Sequence, residues 1–171
     1  MEQILEKEKI LKRVLNICRL NGYSIIIFAG LCCLICIFIG SWSGVIIGIA
    51  VAASGYMELT GGKRLKDNIP DAGKWFIASQ LWLMGLLISY AVYKLLSFDP
   101  SQVSVLLSPE IKTLIETQLN LTAEAFTEMI VGIYNLIYIS IIAATTIYQG
   151  GLCYYYWNSS RKIFEKPKIQ P

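Results

Sequence analysis

The chain contains no histidine among its 171 residues. Histidine is the usual general base at neutral pH, a common metal ligand and the partner of a nucleophilic serine, so its absence removes those arrangements. Gly61-Gly62-Lys63 has neither the spacing nor the context of a phosphate-binding loop. We therefore predict no catalytic residue, no metal site and no cofactor, and we expect that the protein is not an enzyme.

Charged residues are also scarce, at 16% of the chain, whereas hydrophobic residues make up 55%. A soluble domain usually carries about a quarter charged residues. In water this composition would expose more apolar surface than the chain could cover, but in a bilayer that surface is the correct exterior. The length suits one domain. The expected partner is therefore the lipid bilayer, and nucleic acid is not expected.

Four apolar stretches are long enough to cross a membrane, which takes about 20 apolar residues in a helix. They are continuously apolar and lack the alternation of a membrane barrel, so they predict helices. Gly61-Gly62 is typical of a helix C-terminus and predicts the end of the second helix. The fourth helix is expected to exceed the membrane thickness. The predicted spans are residues 23–40, 43–60, 75–96 and 130–157.

Lys and Arg are concentrated in every second gap between these spans. The segment before the first span, the gap between spans two and three and the C-terminal segment hold 13 of them, and the remaining gaps hold 2. The positive-inside rule then predicts a multi-pass membrane protein with both termini in the cytoplasm. Tyr23, Trp75 and the aromatic run 154–157 are expected to anchor the chain at the inner interface.

Two further elements are predicted outside the spans. In residues 1–22 apolar side chains recur at helical spacing among charges, which predicts an amphipathic helix on the cytoplasmic face. In the outer loop, residues 99–125, Ser108-Pro109-Glu110 is typical of a helix start and predicts a short extracytoplasmic helix. Thr122 is expected to begin the fourth span. The predicted fold is an all-α integral membrane four-helix bundle with these two additional helices.

The second span carries small residues at four-residue spacing, at Gly44, Gly48 and Ala52. Such a face lets another helix approach closely. The partner is either a helix of the same chain or a helix of another copy, and internal packing is the favoured interpretation.

The fourth span carries a polar stripe along one side. Polar side chains in hydrocarbon need partners, so the stripe should face the bundle interior or another subunit. It indicates either a hydrophilic path or small-ligand site or, as favoured, hydrogen bonds that fix helix packing. The possible partners in the third span are Ser79, Gln80, Ser89 and Tyr90. The stripe consists of Glu128, Asn135, Tyr138, Thr145, Thr146 and Gln149.

Glu58 is the only acid in the apolar part of spans two and three. It lies near the inner interface and is expected to pair with a nearby base, with Lys63 or Arg64 about one turn further on. Cys33 and Cys36 form a CxxC motif within the first span. Their helix has no basic neighbour that would stabilise a thiolate, so we expect these thiols to be inert.

The stretches Met57-Glu58-Leu59, Ser79-Gln80-Leu81 and Tyr148-Gln149-Gly150-Gly151 resemble uncharacterised small four-span membrane proteins predicted in bacterial genomes. The resemblance implies the inner (plasma) membrane of a bacterium, and it brings no established activity with it. Our leading hypothesis is a structural or interaction protein that packs as a homo-oligomer or against another membrane protein. The alternatives are a passive channel or small-solute carrier that uses the polar stripe and, least favoured, an intramembrane thiol enzyme.

Overall fold

The computed structural model describes residues 2–101, 113, 117–118 and 122–164, without the side chains of residues 2–4. Within these residues the fold is all-α, with no strand and four long helices. All four are long and apolar enough to cross a membrane, which confirms the predicted number of candidate spans. The predicted helix from Ser108 lies outside the described residues. The helices are α1 (Glu2–Ile39), α2 (Trp42–Lys66), α3 (Ala72–Ser97) and α4 (Ala123–Phe164).

Helix α1 is continuous over 38 residues, which corresponds to about 57 Å. The separate surface helix predicted for residues 1–22 therefore forms the first part of α1. Its apolar stripe packs against protein, because Val14 and Cys18 are buried in a cluster that Leu11 and Leu15 adjoin. The helix also passes without a break through Gly22, whose backbone lies close to α2.

Helices α1 and α2 are both closed by the same C-terminal motif. Gly40 adopts a left-handed conformation (φ 75°), and the amide of Ser41 bonds to the carbonyl of Cys36 at 2.8 Å. At the end of α2, Asn68 takes that conformation (φ 60°), and the amide of Ile69 bonds to the carbonyl of Arg64 at 2.9 Å. These are Schellman motifs, in which residues with positive φ satisfy the last carbonyls of a helix.

The predicted end of α2 at Gly61-Gly62 is wrong, because the helix continues to Lys66. Both glycines are buried. A β-carbon at Gly61 would lie 2.9 Å from the Phe76 ring, and one at Gly62 would lie 2.5 Å from the sulfur of Cys18. The glycines therefore provide space for neighbouring helices, and the terminating residue is Asn68.

Helices α1 and α2 pack antiparallel along a seam in which glycines of α2 face small or thin side chains of α1. Gly44 and Gly48 contact the thiols of Cys36 and Cys33, respectively. Further along, a β-carbon at Gly55 would lie 2.7 Å from the carbonyl oxygen of Gly22. Small residues at such a seam allow close backbone approach, which maximises van der Waals contact between apolar helices.

The helices belong to two compact units, of which the first contains the residues up to Leu86 and those from Thr146 onward. All four helices contribute to its buried core. Phe76 of α3 stacks on Tyr156 of α4 with ring centroids 4.5 Å apart and planes 15° from parallel. The core side chains are Val14, Cys18, Leu65, Ala72, Phe76 and Tyr156.

The second unit contains residues Leu87–Thr145. The ring of Tyr134 stacks on Phe98 at 4.0 Å, and its hydroxyl donates a hydrogen bond to the carbonyl of Lys94 at 3.0 Å. These contacts hold the end of α3 beside α4. Thr122 precedes α4 as expected, since its hydroxyl accepts a hydrogen bond from the amide of Ala125 at 3.2 Å.

Candidate functional site: a buried polar cluster around Glu58

Glu58 is completely buried in the first unit. Its Oε2 accepts a hydrogen bond from the Nδ2 of Asn21 at 2.7 Å, and its Oε1 accepts one from the hydroxyl of Tyr156. A buried carboxyl group needs such donors, because leaving it without partners costs several kcal/mol or more. The expected pairing of Glu58 with a base is thus wrong: its hydrogen-bond donors are an amide and a phenol.

Asn21 of α1 forms hydrogen bonds to side chains of two other helices, α2 and α4. Its amide nitrogen donates to Glu58 of α2, and its Oδ1 accepts a hydrogen bond from the hydroxyl of Tyr148 of α4 at 3.3 Å. Asn21 lies one position before Gly22, where α1 and α2 approach most closely. The absence of a side chain at Gly22 and Gly55 therefore brings the Asn21 amide within reach of the carboxyl group.

Tyr156 was predicted to be one of the interfacial aromatic anchors, but it is fully buried. Its ring packs on Phe76, and its hydroxyl binds Glu58. The flanking Tyr154 and Trp157 are 72% and 55% exposed, as an aromatic belt requires. One residue of the run 154–157 therefore belongs to the core, because a helix presents successive side chains about 100° apart.

Helix α3 adds further polar groups to this region. The hydroxyl of Ser79 donates to the backbone carbonyl of Ser54 at 2.7 Å. Gln80 is completely buried beside Glu58, yet neither end of its amide makes a hydrogen bond of good geometry. Gln149 of α4 is 5% exposed, and its Oε1 also lacks a partner. The region therefore holds hydrogen-bonding capacity beyond what the chain itself uses.

Glu58, Gln80 and Tyr148 come from the three sequence stretches noted above, and the structure brings them together. Lys63 and Arg64, the two bases that were expected to pair with Glu58, have other surroundings. Lys63 is exposed, whereas Arg64 forms an ion pair with Asp71 at 2.6 Å and lies 4.8 Å from the ring centre of Trp75.

The polar stripe of α4 is not gathered into one buried face. Gln149 alone among its six members is buried, while Glu128 and Thr146 are exposed and the others are half-buried. The ring of Tyr138 lies 4.7 Å from that of Tyr134 in the second unit.

The small-residue face of α2 lies partly in the seam with α1. Gly48 is buried there, and Gly44 and Ala52 are half-buried. The thiols of Cys33 and Cys36 lie against Gly48 and Gly44, and Cys33 also approaches the carbonyl of Val45 at 3.6 Å. These contacts give the CxxC motif a packing role.

Sequence reasoning missed Asn21 and Tyr156 as parts of the cluster. Asn21 was assigned to a surface segment, although it follows Cys18 of the apolar stripe by almost one turn. Tyr156 has the same residue type as its neighbours, and only helix rotation distinguishes it. Its spacing of seven residues from the buried Gln149 is the one available signal, since such residues share a helix face.

The cluster connects α1, α2 and α4 by hydrogen bonds around the buried Glu58, an arrangement suited to fixing helix register. Among the described residues, no three Cys, Asp or Glu side chains could together hold a metal ion. Comparison of the chain with protein-family models, with curated proteins and with solved structures finds no match.

Proposed function

We propose that the chain is a multi-pass membrane protein whose role is to associate, through an exposed face of α4, with a second copy of itself. The observation that carries the proposal is the low burial of α4. Only 6% of its most apolar window is buried, the lowest share of the four helices, against 11% for α1 and 28% for α2 and α3. A helix of this kind has a large surface for lipid or for a partner.

The composition of one face of α4 favours a partner. Gly132, Leu136, Ile139 and Ala143 project within about 60° of one another at 3.6 residues per turn, and the side chains of Leu136 and Ile139 are more than half exposed. A β-carbon at Gly132 would meet no atom within 4 Å. Small residues between larger apolar ones are characteristic of helix interfaces in membranes.

Asn135 borders this face, and its side-chain amide makes no hydrogen bond in the part of the chain that the structure describes. An amide without partners is costly in hydrocarbon. Because an amide both donates and accepts, Asn135 can pair with Asn135 of a second copy across a two-fold axis. This self-complementarity supports a second copy as the partner.

The test is the mass of the purified protein in mild detergent, measured across a range of concentrations. We expect a dimer for the wild type and a dissociation constant raised about tenfold by Asn135→Leu, the size of an interhelical hydrogen bond. Gly132→Leu should also favour the monomer. Gly85→Leu is the matched control, since Gly85 of α3 likewise has open space around it. A wild type that remains monomeric at every concentration would refute the proposal.

The membrane and the orientation form part of the same proposal. The basic segments support a cytoplasmic location for both termini by the positive-inside rule, and the resemblance to bacterial proteins favours the inner membrane. The four long apolar helices support the multi-pass arrangement.

A second candidate function is the passive passage of a small polar solute. It is favoured by Gln80 and Gln149, whose buried amides retain atoms without partners. Vesicles containing the protein would be tested with a panel of ions and neutral solutes. Flux that Gln149→Leu abolishes would support passage, and impermeable vesicles at high protein density would exclude it.

A further inference from the structure

A cavity of about 240 Å³ opens between α1 and α2 in the first unit. Cys18 and Gly62, which are in contact, belong to its lining, together with Leu59 and Tyr23. The remaining lining residues are all basic: Arg19, Lys63 and Lys66. No acidic side chain lines the cavity.

The three cations are available to a ligand. Each is exposed, and none of the three charged side-chain groups makes a hydrogen bond or an ion pair with any described residue. Three positive charges around one small cavity repel one another, and an anion placed among them relieves that repulsion. A phosphate group fits this donor set, since guanidinium and ammonium groups are its usual partners.

The surface next to the cavity distinguishes a lipid from a soluble phosphate. On α1, Tyr23 and Ile27 follow Arg19 at four-residue intervals and are 57% and 60% exposed. On α2, Tyr56 precedes Lys63 by two turns and is 69% exposed. The bases that border the cavity thus lie in the basic N-terminal half of α1 and at the C-terminal end of α2. The exposed apolar side chains lie on the other side, toward the middle of the predicted spans. This order matches that of a phospholipid, with its headgroup above its acyl chains.

We propose that this cavity binds the phosphate group of an anionic phospholipid, whose acyl chains lie along the exposed ridges of α1 and α2. The site holds a lipid of the leaflet that borders the basic ends of these helices. It uses no residue of the α4 face, so it stands whether or not the protein dimerises.

The test is lipid binding by the full chain in mild detergent, followed by mass spectrometry of the intact complexes. The probes are phosphatidylglycerol, phosphatidylcholine and inorganic phosphate, each added separately. We expect phosphatidylglycerol to bind at least about tenfold more tightly than phosphatidylcholine, because of its net charge. Raised salt should weaken its binding.

Two triple variants with equal loss of charge separate the cavity from the general basic surface. Arg19→Gln, Lys63→Gln and Lys66→Gln together should weaken phosphatidylglycerol binding about tenfold or more. The control combines Lys12→Gln, Lys74→Gln and Arg161→Gln, three exposed bases that do not line the cavity, and it should bind like the wild type.

Three outcomes would overturn the proposal. The first is equal weakening in both triple variants, which would show attraction to the whole basic surface. The second is equal affinity for phosphatidylglycerol and phosphatidylcholine. The third is displacement of phosphatidylglycerol by inorganic phosphate at equal concentration, which would assign the cavity to a soluble anion. Circular dichroism of both variants verifies that the helices remain intact.

Discussion

Tyr156 donates a hydrogen bond to Glu58, a residue 98 positions earlier in the chain. Both side chains are completely buried. The bond joins the last turns of α4 to α2 within a core that all four helices share. Because a wrong helix rotation would leave the carboxyl group without this donor, the pair favours one packing of the bundle over its alternatives.

Removing the hydroxyl of Tyr156 should destabilise the protein. We expect Tyr156→Phe to lower the free energy of unfolding by about 1–2 kcal/mol, because the ring contacts remain while Glu58 loses a donor. Tyr154→Phe is the control, since that side chain is 72% exposed and its change should be close to zero. The measurement is unfolding of the detergent-solubilised protein by denaturant, followed by circular dichroism. Equal effects of the two substitutions would contradict the importance of the Glu58 contact.

Adding a methyl group at Gly48 should disturb the seam between α1 and α2. The new β-carbon would overlap the sulfur of Cys33, so Gly48→Ala should cost about 1–3 kcal/mol of stability. Cys33→Ala in the same chain removes that sulfur and should recover much of the loss in a double-mutant cycle. Gly85→Ala, at a helical glycine with open space, should preserve stability or raise it by up to about 1 kcal/mol, because alanine favours the helix. Additive effects at positions 48 and 33 would show that the two residues do not interact.

The left-handed conformation of Asn68 predicts that two substitutions at this position affect stability in opposite directions. Asn68→Gly should preserve or slightly raise stability, since glycine adopts positive φ without steric cost. Asn68→Val should lower it by about 1–2 kcal/mol, because a branched β-carbon clashes in that conformation. Asn68 is exposed, so lost side-chain packing does not complicate the comparison. Thermal unfolding of the three proteins provides the measurement, and equal melting temperatures would argue against the C-terminal motif.

If all four long apolar helices cross the membrane, as we propose, the two ends of the chain lie on one side of it. We expect reporter domains fused to the N-terminus and the C-terminus to be active on the cytoplasmic side, as the Lys and Arg distribution predicts. A reporter inserted after Ser41, in the connection between α1 and α2, should be active on the opposite side. Reporters on the two ends that respond from opposite sides would refute the arrangement.

The helices could be predicted because their cause is local. Long apolar runs require helices in a bilayer whatever surrounds them, and the capping role of Thr122 depends on its immediate neighbours. The end of α2 could not be predicted from local sequence in the same way. Glycine is common at helix C-termini, but it is also common inside helices where a neighbouring helix packs closely. At Gly61 and Gly62 the neighbours, Phe76 and Cys18, come from other helices.

The polar cluster shows the same division between local and long-range causes. Glu58 stood out as an isolated acid, but its partners depend on how each helix is rotated. The charges of Lys63 and Arg64 made an ion pair the simplest expectation for it. Local sequence does not determine the rotation that turns Tyr156 inward and leaves Tyr154 outside, because both positions lie in one continuous helix of similar side chains.

The thiols along the seam allow the stability of α1 and α2 to be measured with the native sequence. Cys18, Cys33 and Cys36 lie at three positions along α1, and each contacts a glycine of α2. A shielded thiol reacts with an alkylating reagent mainly while the two helices are apart. Cys32, which is exposed on the same helix, supplies the unshielded rate. At each position, the alkylation rate divided by that of Cys32 measures how often the two helices separate there. Comparing the three ratios therefore shows whether α1 and α2 separate first near the connecting loop, at Cys36, or near the basic segment, at Cys18.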